Sequence, residues 1–161
     1  MMRIEAVVIN ASPLIVLFRS GQADLLPRLF SRIVVPEVVW REVVDEHKDA
    51  AARGLVKQTW PIRETVVTSA RVEAWNLGRG ETAVLSYALA HPPIRAVIDD
   101  RDARRSAQAL GISMLGTGGV LLLAKRRGLL ASVTEGLIKL RDAGLWLSED
   151  IVQLIKTQAG E

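Results

Sequence analysis

Ala6-Val7-Val8-Ile9-Asn10-Ala11-Ser12-Pro13-Leu14-Ile15 decides the fold class, because its pattern changes from strand to helix at a single polar residue. Its first four residues are apolar and mostly β-branched, without polar alternation, as in a strand buried on both faces. Beyond Asn10, Ser12 is placed to cap a helix and Pro13 suits its first turn. Leu14, Ile15, Leu17 and Phe18 supply the apolar stripe of that helix, and Gly21 stops it.

The same succession recurs along the chain. After a helix over about 23–30, Ile33-Val34-Val35 reads as a second buried strand. Pro36 then opens a helix whose inner stripe is Val38, Val39 and Val43. Residues 49–53 read as helical, 56–60 as a short strand, and 64–68 as ambiguous, with an edge strand as one option. A helix is expected from Ser69 to about Leu77, then a break at Leu77-Gly78-Arg79-Gly80 and a strong helix over 81–90. Ala96-Val97-Ile98 is a strand, followed by a helix to Leu110, a strand over 112–115 and a helix over 120–127. Ser132 with Glu135, and Ser148 with Glu149 and Asp150, begin two final helices. Strands alternating with helices predict an α/β fold with a parallel sheet covered on both faces. No repeat, low-complexity segment or linker interrupts it, so residues 1–161 are expected to form one domain.

Composition narrows the chemistry. The 161 residues are 49% apolar and 24% charged, which is globular rather than disordered. With no cysteine, thiolate metal sites and thiol catalysis are excluded, and His47 and His91 alone cannot make a histidine-rich metal site. Any metal must be a hard cation held by oxygen. No apolar run approaches the ~20 residues of a membrane span, and the opening Met-Met-Arg-Ile-Glu does not read as a secretory signal. The expectation is a cytoplasmic protein with no membrane association. A net charge of +3 and a pI of about 9.7 mildly favour a polyanionic partner. The four tryptophans are scattered, which suggests core or interface positions rather than a base-stacking platform.

Ligands of open α/β sheets bind beyond the carboxyl ends of the strands. There the sequence places Asn10, then Asp99 and Asp100, then Gly116-Thr117. Glu42 falls on the inward stripe of its helix with Val38 and Val39, and Glu81 stands at the head of the 81–90 helix. Carboxylates facing a core are costly unless paired or bound to a metal, and their convergence is what Mg²⁺ or Mn²⁺ requires. Each also has a plainer role: Glu81 against the helix dipole, Glu42 paired with an arginine, Asp99 or Asp100 as a helix cap. The Gly116-Thr117-Gly118-Gly119 turn lacks both dinucleotide and Walker spacing. Its amides suit a phosphate, or its glycines permit close helix–strand packing. Arg101, Arg104 and Arg105 lie on one side of the helix after the aspartates, where they suit RNA phosphates.

Read together, these blocks resemble the PIN-domain family. Val8-Ile9-Asn10-Ala11-Ser12-Pro13-Leu14-Ile15 is similar to the opening strand and helix of that family, which has Asp at the Asn10 position. Val35-Pro36-Glu37-Val38-Val39-Trp40-Arg41-Glu42-Val43 resembles the second strand and helix, whose glutamate matches Glu42. Gly80-Glu81-Thr82-Ala83-Val84 and Val97-Ile98-Asp99-Asp100-Arg101-Asp102-Ala103-Arg104 resemble the third and fourth acidic blocks. Gly116-Thr117-Gly118-Gly119-Val120-Leu121 is similar to a branch described as toxins of toxin–antitoxin pairs, the VapC-like branch. The resemblance covers residues 6–130 most clearly, with the C-terminal helices over 131–158 compatible.

It implies a three-layer α/β/α sandwich with a central parallel sheet and an acidic pocket for Mg²⁺ or Mn²⁺. It also implies hydrolysis of RNA phosphodiesters, homodimerisation and inhibition by a small antitoxin protein. Asn10, Glu42, Glu81, Asp99 and Asp100 would be the catalytic and metal-binding residues. Ser12, Arg101, Arg104 and Thr117 would meet the substrate, with Asp102 on the rim. Asn10 offers an amide oxygen but no charge, which weakens a hard-cation site. Two other readings stay open: a catalytically impaired PIN module that binds RNA or protein without cleavage, and a nucleotide- or phosphate-ester-handling protein built on the Gly116 turn.

Overall fold

The computed structural model describes residues 5–47 and 49–161, so the N-terminal residues read against a secretory signal lie mostly outside it. Among the described residues five parallel strands form one sheet in the order β3-β2-β1-β4-β5. They are β1 Glu5–Ile9, β2 Phe30–Pro36, β3 Pro61–Glu64, β4 Arg95–Val97 and β5 Met114–Leu115. Helices pack around this sheet in the expected α/β/α sandwich.

The central position of β1 follows from its composition. Val7, Val8 and Ile9 are fully buried, as are Val34 and Val35 on β2 and Ala96 and Val97 on β4. Strands covered on both faces cannot alternate with polar residues. In register, Val8 lies opposite Val34 and Ile9 opposite Val97, so the carboxyl ends of β1 and β4 arrive side by side. A single connected core runs from these strands to Val152 and Ile155. Burial of each large aliphatic side chain in it contributes about 2 kcal/mol.

Helix α1, Ala11–Arg19, starts at once after β1. Its N-cap is Asn10, which makes no side-chain capping bond, and Ser12 lies exposed inside the first turn. Ser12 is therefore not the expected cap. After α2, Leu25–Leu29, and β2, helix α3 covers Glu37–Arg41 and continues as a π-helical segment over Glu42–His47. Helix α4, Ala50–Val56, is capped by Asp49, which accepts from the Ala51 and Ala52 amides. This helix absorbs Val56, so the strand expected over 56–60 instead begins at Pro61. A proline can head a strand because its missing N–H is needed least there.

Helix α5 is shorter than expected, Ala70–Glu73, and α6 is longer, Arg79–Ala90. Helices α7 Arg101–Ala109, α8 Thr117–Arg126, α9 Val133–Asp142 and α10 Glu149–Gln158 follow. Ser132 and Ser148 cap the last two through the Glu135 and Ile151 amides. The glycine turn is already helical from Thr117. A Cβ on Gly118 would stand 2.7 Å from Ile155 Cδ1, and one on Gly119 would stand 2.8 Å from Leu115 Cδ1. Those two glycines serve close packing, which leaves a phosphate cradle at this turn without support.

Candidate active site

β1 ends at Ile9, and the next residue, Asn10, is held by a bond from its N–H to the Val97 carbonyl, 3.1 Å away. Its side chain is buried, and its Oδ1 faces the backbone of Gly80 at the start of α6. A Cβ at residue 80 would lie 2.9 Å from Asn10 Oδ1 and 3.4 Å from Glu42 Oε1. Having no side chain, Gly80 leaves both oxygens room to approach it. Val39, one turn before Glu42, packs against the same point, so the inward stripe of α3 delivers Glu42 as its spacing suggests.

Asp99 lies two residues past β4, on the strand beside β1. Thr117 holds it from the head of α8: the Thr117 amide donates to Oδ1 at 2.8 Å and the hydroxyl to Oδ2 at 2.5 Å. Thr117 is itself fully buried. It is a holder of Asp99, and not a group open to substrate. Arg104 is half-buried and also turned inward, donating to the Ile98 carbonyl at 3.2 Å, with its Nη1 close beside Gly116. Arg101 and Arg105 are exposed. Asp100 caps α7 by accepting from the Ala103 amide at 2.9 Å, the plainer of its two expected roles, while part of its carboxylate still faces solvent.

The acidic side chains open on two sides of this centre. Glu81 folds back toward Gly78 and shares a cleft of about 400 Å³ with Asp100, Asp102, Arg105 and Trp75. Glu42 opens on a second cleft of about 270 Å³, with Ser12, Arg19 and Leu145. The fold thus brings Asn10, Glu42 and Gly80 together, and sets Asp99 on the neighbouring strand end. Among the described residues no three Asp, Glu or His side chains are close enough to hold a metal ion. The donor set still suits a hard cation: amide and carboxylate oxygens, with a glycine cradle between two of them. The tryptophan beside Glu81 was not legible as part of this region, because the sequence puts Trp75 inside a helix expected from Ser69 to about Leu77, whereas the helix ends at Glu73 and Trp75 stands in the turn after it.

A family model described as PIN domain matches residues 6–161. Proteins with this domain are generally nucleases and typically use divalent metal ions. Comparisons with curated proteins and with solved structures gave no significant match. With the parallel sheet, the strand-end polar residues and a match over nearly its whole length, the chain belongs to the PIN-domain family.

Proposed function

We propose that this protein is a metal-dependent endoribonuclease, one domain over residues 1–161, whose site is centred on Asn10, Glu42, Glu81 and Asp99. The observation that carries the reading is the approach of both Asn10 Oδ1 and Glu42 Oε1 to Gly80, beside the strand end that presents Asp99. Asn10, Glu42, Glu81 and Asp99, with Asp100 at the margin, would hold Mg²⁺ or Mn²⁺. Such an ion supplies charge stabilisation at the scissile phosphate and an activated water.

The chain's own residues do the positioning. Thr117 fixes both oxygens of Asp99, and Gly80 admits Asn10 and Glu42 to one point. Arg101 and Arg105 offer exposed cations to the substrate's phosphates. Ser12, exposed beside Glu42, is placed to orient a water or a substrate hydroxyl. The finer role we propose is the toxin of a toxin–antitoxin pair, a cytoplasmic homodimer restrained by a small antitoxin protein. No described helix is long and apolar enough to cross a membrane.

Asn10 supports a second reading, an impaired module that binds RNA or a protein without cutting. A neutral amide lowers the negative charge at the centre and with it cation affinity. The test is cleavage of a panel of structured and single-stranded RNAs with Mg²⁺, Mn²⁺ or EDTA, using the parent, Glu81→Gln and Asn10→Asp. Metal-dependent cutting lost in Glu81→Gln supports the nuclease. A silent parent and a cutting Asn10→Asp variant support the impaired module. Silence from all three proteins, with no metal bound, rejects the site.

A further inference from the structure

The four tryptophans fall into two kinds. Trp40 lies under the Arg63 guanidinium, 4.4 Å from its ring centre, and Trp60 stacks with Phe18 at 6.2 Å and donates its indole N–H to Gln58. Both are half-buried and have an aromatic or cationic neighbour. Trp75 and Trp146 are 44% and 82% exposed, with no ring or cation partner among the described residues. Trp75 stands in the turn between α5 and α6, where its amide donates to the Val72 carbonyl and fixes the backbone. Trp75 lines the cleft that holds Glu81, Asp100, Asp102 and Arg105.

We propose that Trp75 is a base-stacking residue. It would receive one unpaired base of single-stranded RNA in the Glu81 cleft, with Arg105 on the adjoining phosphate. This rests on the ribonuclease reading and names the substrate form that the same site takes. Asp102, the one carboxylate of this cleft outside the proposed metal set, repels phosphate but tolerates a neutral base, from whose ring N–H and amino groups it can accept hydrogen bonds. A flat, exposed indole stacks any base, and duplex RNA keeps its bases stacked on one another. Arg105 has no ion pair among the described residues, so its charge remains available at the cleft's mouth.

The test uses a single-stranded RNA hexamer carrying the fluorescent base 2-aminopurine, together with an abasic version and a duplex of the same sequence. Binding to the parent, Trp75→Ala and Trp75→Phe is followed by fluorescence, and cleavage is followed in parallel. Circular dichroism and thermal melting report folding. The expected result is 2-aminopurine quenching by the parent and about ten-fold weaker binding by Trp75→Ala. Trp75→Phe should restore most of the affinity, and the abasic strand should bind the parent no better than the intact strand binds Trp75→Ala.

Equal binding by parent and Trp75→Ala overturns the subsite, as does equal loss in the alanine and phenylalanine variants. If the parent cleaves RNA and Trp75→Ala cleaves equally well, the subsite falls while the nuclease stands. If the parent neither binds nor cleaves any of these RNAs, both fall.

Discussion

A methyl group on Gly80 would press on Asn10 Oδ1 from 2.9 Å while crowding Glu42 Oε1 from 3.4 Å. Alanine is otherwise the better helix residue by about 1 kcal/mol. Gly80→Ala should therefore leave the melting temperature almost unchanged but displace the two oxygens. Cleavage by the parent, or by Asn10→Asp, should fall about 100-fold. Thr117 makes the opposite case. Valine keeps its shape but loses the hydroxyl that donates to a charged carboxylate. Thr117→Val should cost about 2 kcal/mol in urea unfolding and loosen Asp99 as well. At this scale the sequence exposed Asn10 and the Asp99-Asp100 pair, since polar residues ending an apolar strand stand out, but it left open which of the two aspartates caps α7. It did not expose where Glu81 points or what Thr117 holds, because those depend on α6 and α8 packing against distant strands.

The elements themselves were mostly legible where a cap or a breaker marks them. Gly21 and Gly111 close α1 and α7 with φ of 73° and 72°, and Ser132 and Ser148 open α9 and α10 as read. The π-helical segment over Glu42–His47 has no signature in Glu-Val-Val-Asp-Glu-His. Another contact that no local pattern announces is the clasp of Glu161 on α9. Its carboxylate accepts from the Val133 amide at 2.7 Å and the Thr134 amide at 3.1 Å, and Lys125 pairs with it at 3.3 Å. Hydrogen bonds from Thr134 and Val133 hold its pKa down to about 2 from the ordinary 4.5. A lowered folded-state pKa adds stability that is complete above 4.5 and is lost as pH falls through about 2. Glu161→Gln should be less stable than the parent near neutral pH. The gap should close as acid is added across that window, in melts recorded at stepped pH.

The molecule as a whole carries +3 on 161 residues, a weak field in which individual arginines matter more than the total. Arg101 and Arg105 are exposed on α7 and have no ion pair among the described residues. Single-stranded RNA binding should weaken with salt, and the slope of log affinity on log salt should drop by about 0.7 for each of Arg101→Ala and Arg105→Ala. Filter binding over a salt series checks this. Fold class was readable at this scale because buried parallel strands and amphipathic helices have different periods. Strand order was not, since no local pattern says which strands become neighbours; the strand read over 112–115 is only Met114–Leu115, and β3 begins one residue past the expected 56–60.

That strand order has a consequence for how copies of the chain meet. The sheet's two open edges are β3, four residues headed by Pro61, and β5, only two residues long. Neither offers a foreign backbone a useful ladder, so among the described residues growth of an intermolecular sheet has no template.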